Sequence, residues 1–239
     1  MEREYPGPDS RRVQEMFAGI AHRYDFLNHF LSACIDRRWR RVAVNKVREL
    51  IGATPSAVCL DACSGTGDLA LALHRDLHCG VVAADFCHPM LTRAQAKCSG
   101  LPVHNVESDA LSLPFPDHSF DALTIAFGLR NLEDPWRGLN EMRRVLKPGG
   151  GLVVLEFSKP VVPVLKHAFN FYFRHILPKL GAVISGDGSA YQYLPDSVRK
   201  FPAQEELVSM MRSCGFENAQ YRNLSGGIAA LHWGTAEKH

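Results

Sequence analysis

Apolar residues recur at helical spacing from Arg11 to Leu50, with no strong breaker before Gly52, and this stretch predicts helices. The rhythm then changes. Ala57–Ala62 is a short apolar run that ends in a glycine-rich turn, and the residues after it, Leu69–Leu77, return to a helical pattern. Gly80–Phe86 repeats the arrangement, with a helix around Met90–Cys98. Val103–Asp109 and Phe120–Phe127 read as third and fourth strands. Leu139–Lys147 reads as a helix stopped by Pro148-Gly149-Gly150, and Gly151–Phe157 as a fifth strand. These strands are continuous apolar runs, the mark of a parallel sheet whose two faces are both covered by the intervening helices. A long insertion, Ser158–Pro202, precedes a helix over Gln204–Cys214. Phe216–Asn223 and Gly227–Trp233 are joined by so short a Ser-Gly-Gly turn that they must run antiparallel. The pattern predicts an α/β fold, Rossmann-like, with a seven-stranded, mostly parallel sheet closed by a C-terminal antiparallel hairpin.

Composition changes this picture little. A chain of 239 residues, 46% apolar and 22% charged, fits one globular α/β domain, and a net charge of +2 gives no argument for nucleic acid. Seven cysteines without a CxxC pair suit neither a disulfide framework nor a zinc site; they fit free thiols in a reducing cytoplasm, and no metal is expected. Met1–Arg12 lacks the apolar centre of a secretory signal, and no run approaches the ~20 apolar residues of a spanning helix.

The chemistry concentrates at the first turn. Gly65 and Gly67 let the backbone bend tightly and approach a ligand at the carboxyl edge of the sheet. A dinucleotide site usually has a third glycine and a helix N-terminus facing phosphate; here no third glycine follows, and Asp68 opens the helix. A carboxylate there repels phosphate and is suited to the ammonium of a methionine-like ligand, although it also serves as an ordinary helix cap. Asp85, about 20 residues on at the end of the second strand, is placed for ribose hydroxyls. Asp109-Ala110, at the end of the third, is placed for an adenine amino group. Each aspartate alone reads equally well as turn chemistry; the three in order point to a cationic, phosphate-free nucleoside cofactor.

At this point the chain resembles the ubiquinone/menaquinone biosynthesis C-methyltransferases. The narrow motifs are Tyr24-Asp25-Phe26-Leu27-Asn28, running through Ser32 to Trp39, and Phe127-Gly128-Leu129-Arg130-Asn131. Broader ones are Gly65–Asp68, Leu113–Asp117 and Arg144–Gly151 closing with Glu156-Phe157-Ser158. The match begins near Val13 and spans nearly the whole chain. It implies the class I S-adenosylmethionine-dependent methyltransferase fold over residues 1–239 as one domain. Within it, 1–52 would be a helical cap, 53–157 the cofactor-binding core, 158–202 a substrate-side insertion and 203–239 the last helix and hairpin. It implies S-adenosyl-L-methionine contacts at Thr66, Asp85, Asp109, Ala110 and Ala126. Two positions depart from the family pattern: Asp36 stands in place of a usual histidine, and Ala126 in place of a common serine, so Ala126 offers only backbone.

The implied substrate is a prenylated quinol, a demethylmenaquinol first and a polyprenyl benzoquinol as the alternative. Carbon methylation needs alignment, exclusion of water and stabilisation of a phenolate. Arg130 is the candidate for the phenolate, against a surface pair with Glu133 or Asp134; Asn131 would orient the ring. Tyr24 and His22 lie on the segment that would cover the cofactor, where His22 or His29 is a candidate base. Tyr191 and Tyr193 could reach the quinol. Val164–Leu180 carries an apolar stripe with basic residues, and Arg37–Arg41 places four arginines around Trp39. Both are candidates for peripheral contact with the inner face of a membrane from the cytoplasm. A nicotinamide-dependent dehydrogenase is disfavoured by Asp68 and the hairpin; a non-catalytic S-adenosylmethionine-binding protein, and a homodimer, stay open.

Overall fold

The computed structural model describes residues 7–163, apart from 33, 53 and 55, and residues 189–238. Three helices come first: α1 (Ser10–Ile20), α2 (Tyr24–Leu31) and α3 (Ile35–Ile51), with a 3-10 turn over Ala21–Arg23 between α1 and α2. Alternation follows with β1 (Val58–Ala62), α4 (Asp68–Leu77), β2 (Gly80–Asp85), α5 (His88–Lys97), β3 (Val103–Glu107), β4 (Phe120–Ala126), α6 (Pro135–Val145) and β5 (Leu146–Phe157). The last elements are α7 (Ser189–Lys200), α8 (Gln204–Ser213), β6 (Phe216–Leu224) and β7 (Ala229–Ala236). Together the strands form one seven-stranded sheet in the order β3-β2-β1-β4-β5-β7-β6, parallel except for β7, which runs antiparallel to both β5 and β6.

The apolar strands are buried on both faces, as parallel strands must be. Successive residues of β1 divide between them: Cys59 packs with Trp39, Val44 and Leu73 under α3 and α4, and Leu60 packs with Leu139, Met142 and Met211 under α6 and α8. Each fully buried leucine contributes about 1.5–3 kcal/mol of transfer free energy. Helix α6 starts earlier than the sequence suggests, because Asp134 caps it by accepting from the Arg137 N–H at 3.0 Å and Pro135 takes the first turn. It also ends earlier. Leu146 pairs with Phe120 in the sheet and is fully buried, so tertiary pairing converts the end of the helical pattern into strand.

Burial of Trp39 corrects one part of the membrane reading of Arg37–Arg41, the interfacial aromatic. Helical periodicity puts Trp39 on the buried face of α3 with Asp36, Ala43 and Val47. Its indole N–H donates to Ser225 Oγ at 3.0 Å, and its ring lies 6.2 Å from Phe127 and 6.1 Å from Phe157. Arg37, Arg38 and Arg41 remain exposed, without the interfacial aromatic. The apolar stripe Val164–Leu180 lies outside the described residues, as do the side chains of His29 and Tyr191.

Candidate functional site

The neighbours of β1 are β2 on one side and β4 on the other, so the chain reverses direction across the sheet at this point and leaves a crevice at the carboxyl ends of the strands. An open cavity occupies it, and α1 covers it with Gln14 and Phe17. Gln14 Nε2 donates to the Phe86 carbonyl at 2.7 Å, and the Gly7 N–H donates to the Glu133 carbonyl at 3.0 Å, which ties the N-terminal segment to both rims.

Gly65 turns the chain at φ +55°, a conformation few other residues adopt without strain. Its N–H donates to Asp85 Oδ2 at 2.8 Å, while Asp85 Oδ1 accepts from the Cys87 N–H at 2.8 Å. One buried carboxylate therefore joins the first and second strand-end loops. Burial raises its pKa, against the backbone donors that lower it. Asp109 Oδ1 accepts from the Leu111 N–H at 2.8 Å and shapes the third loop, beside Ala110. Gly65, Asp85, Asp109, Ala110, Ala126, Tyr24 and Asn131 all line the cavity.

Thr66, Gly67 and Asp68 do not line it. A Cβ on Gly67 would come within 3.1 Å of Ala94 Cβ, so this glycine serves the packing of α5. The Asp68 carboxylate meets Lys97 Nζ at 2.5 Å and Arg40 at 3.8 Å in place of the expected ammonium. Thr66 is buried, and its hydroxyl donates to Asp25 Oδ1 at 2.5 Å. Arg40 also pairs with Asp36, which accepts from Ser32 Oγ at 2.8 Å. No local sequence pattern marks Asp25, Lys97 and Arg40 as a unit, since 72 residues separate Asp25 from Lys97.

A second cluster stands at the end of β4. Arg130 is 5% exposed and pairs with Glu156 at 2.7 Å, neither with Glu133 nor with Asp134. The same guanidinium donates to the Phe127 carbonyl at 2.5 Å and lies 5.3 Å from the Phe157 ring centroid. Phe127 adopts φ +57°, an outlier for a bulky residue, held by these contacts. Asn131 Nδ2 donates to that carbonyl at 3.1 Å, and Asn131 Oδ1 accepts from the Tyr193 hydroxyl at 2.9 Å. Burial pushes the Tyr193 phenol up to about 12 and raises the Tyr24 phenol and the Glu156 carboxyl as well. Asn131 thus faces the cavity with Arg130 behind it, while His22 is exposed on the 3-10 turn and outside the cavity lining.

The arrangement fits a nucleoside ligand that carries positive charge. Among the described residues, acidic Asp85, Asp109 and Glu133 stand in the wall against one basic residue, Arg11. The Gly65 amide that would face a pyrophosphate is taken by Asp85. Among the described residues no cluster of histidine, cysteine or carboxylate could hold a metal.

The ubiE/COQ5 methyltransferase family matches the chain over residues 7–236. Two relatives are named demethylmenaquinone methyltransferase. The one from Thermus thermophilus is 50% identical over 222 residues, which cover 92% of this chain and 99% of that protein. The one from Deinococcus radiodurans is 49% identical over 222 residues, which cover 92% and 90%. Among solved structures the cyclase SpnF superposes with a TM-score of 0.71 at 19% identity and complete coverage of both chains, a likeness of fold alone.

Proposed function

Because the chain belongs to the ubiE/COQ5 methyltransferase family, we propose that it methylates a ring carbon of demethylmenaquinol, giving menaquinol, the last step of menaquinone formation. The observation that carries this reading is the 49–50% identity to two demethylmenaquinone methyltransferases over nine-tenths of the chain. The methyl donor is S-adenosyl-L-methionine, which supplies an electrophilic methyl carbon on a sulfonium. Asp85 would hold its ribose, Asp109 and Ala110 its base, and the Gly65 turn with the Ala126 backbone the remainder.

The other residues serve the quinol. Asn131, steadied by Tyr193 and the Phe127 carbonyl, orients a ring oxygen at the cavity wall. Arg130, fixed by Glu156, provides positive charge behind Asn131 where phenolate character develops. Tyr24 and Phe17, 5.9 Å apart edge to face, help to exclude water from above. His22 has no part in this scheme, because it stands away from the cavity.

Incubation with S-adenosylmethionine and chemically reduced demethylmenaquinol, followed by mass spectrometry, should show one added carbon-bound methyl. Methylation of a polyprenyl benzoquinol in preference would reassign the ring, and donor binding without product from either quinol would make the protein non-catalytic.

A polyprenyl substrate resides in lipid, and we place the protein at the cytoplasmic face of the membrane as a peripheral binder. Exposed Phe26 (59%) and Ile35 (38%) beside exposed Arg37, Arg38 and Arg41 support this, and no described helix is long and apolar enough to cross a membrane. Sedimentation with anionic vesicles should carry the protein down at low salt and release it at high salt; failure to sediment at low salt would contradict the placement.

A further inference from the structure

We propose that Lys97 is a positioning residue that fastens the N-terminal cap to the glycine turn, so that Tyr24 closes over the methyl donor. The proposal rests on the cavity being the donor site. Lys97 closes α5 and does not line the cavity. Its ammonium reaches oxygens from three elements: Asp25 Oδ2 of α2 at 2.8 Å, Thr66 Oγ of the glycine turn at 3.3 Å and Asp68 Oδ1 of α4 at 2.5 Å. Thr66 completes the ring by donating to Asp25 Oδ1.

Sequence adjacency carries this ring into the cavity. Asp25 follows Tyr24, and Thr66 follows Gly65, so joining Asp25 to Thr66 brings Tyr24 against the turn. Tyr24 Cε1 lies 3.8 Å from where a Cβ on Gly65 would stand, and both residues line the cavity. Without the ammonium, the carboxylates of Asp25 and Asp68 would face one another around Thr66 with like charge. Loss of the ammonium's three bonds would loosen Asp25, and Tyr24 with it, from the turn. The side chains of Lys97, Asp25 and Asp68 are 24%, 34% and 24% exposed. A half-solvated ring of this kind adds little to global stability yet can set local geometry.

Binding of S-adenosylhomocysteine, measured by calorimetry, tests this. Lys97→Met should weaken binding about tenfold and raise the donor KM more than it lowers kcat, whereas Lys97→Arg should stay within about threefold of wild type. The effects of Lys97→Met and Asp25→Asn should fall well short of additive in the double variant, because both open one ring. A folded Lys97→Met protein with unchanged affinity, or full additivity, overturns the proposal. Should Lys97→Met fail to fold, Asp25→Asn alone must show the tenfold loss, and unchanged affinity there overturns the proposal too. A wild-type protein that does not bind S-adenosylhomocysteine overturns the donor site itself, a result distinct from unchanged variants of a binding protein.

Discussion

Arg130→Ala is expected to lower methyl-transfer turnover about 100-fold while S-adenosylhomocysteine affinity stays within about threefold, since the lost charge acts where phenolate develops. The difficulty lies in stability. Glu156 is 1% exposed, and removing its partner leaves a buried carboxylate whose remaining donors are the backbone N–H groups of Phe157 and Arg130, at 2.8 and 3.3 Å. Breaking a buried pair from one side costs about 3–5 kcal/mol. Burial already raises the Glu156 pKa, so protonation limits that cost. The double variant Arg130→Ala with Glu156→Gln removes the stranded charge. It should regain most of the lost thermal stability and none of the turnover. Recovery of turnover together with stability would make Arg130 purely structural, and unchanged turnover in the single variant would remove it from the mechanism.

Asp61→Asn is expected to stabilise the protein, and increasingly so as the pH rises. Asp61 is the last residue but one of β1, at 1% exposure, and burial lifts its carboxyl to about 7, although Thr124 Oγ donates to it at 2.6 Å. An ordinary aspartate, as in the unfolded chain, titrates near 3.8. Below that value both states hold the proton, and the group costs nothing. Between 3.8 and about 7 the unfolded chain ionises first, so stability falls with rising pH, by about 4 kcal/mol once the folded carboxyl has also ionised. Asparagine keeps the hydrogen bond from Thr124 and has no charge to bury. Thermal melts of both proteins should therefore nearly coincide at pH 4 and separate at pH 8 by roughly ten degrees in favour of the variant. A gap that does not change with pH would show that Asp61 is not a buried, late-ionising carboxyl.

Local pattern was enough to reveal the sheet. Five apolar runs and a tight final turn specify parallel strands and an antiparallel hairpin, because strand burial and turn length are written into a few consecutive residues. The glycine turn and the carboxylates Asp85 and Asp109 were legible for the same reason, since strand ends in such a sheet converge on one edge. The end of α6 was less so: Leu146 continues a helical pattern but is drawn into the sheet by Phe120, 26 residues earlier.

Partner choice belongs to another level. Asp68 stands at the right turn for a ligand, yet faces a lysine 29 residues later; Arg130 has acidic neighbours in sequence, yet pairs with Glu156, 26 residues on. Trp39 lies within a run of arginines, yet its rotation about α3 turns it inward to Phe127 and Phe157. By itself the sequence determined the conformation of each segment and the edge where chemistry collects. Only the tertiary structure decided which charges meet, because a side chain selects its partner among the elements packed beside it, and that packing is settled over tens of residues at once.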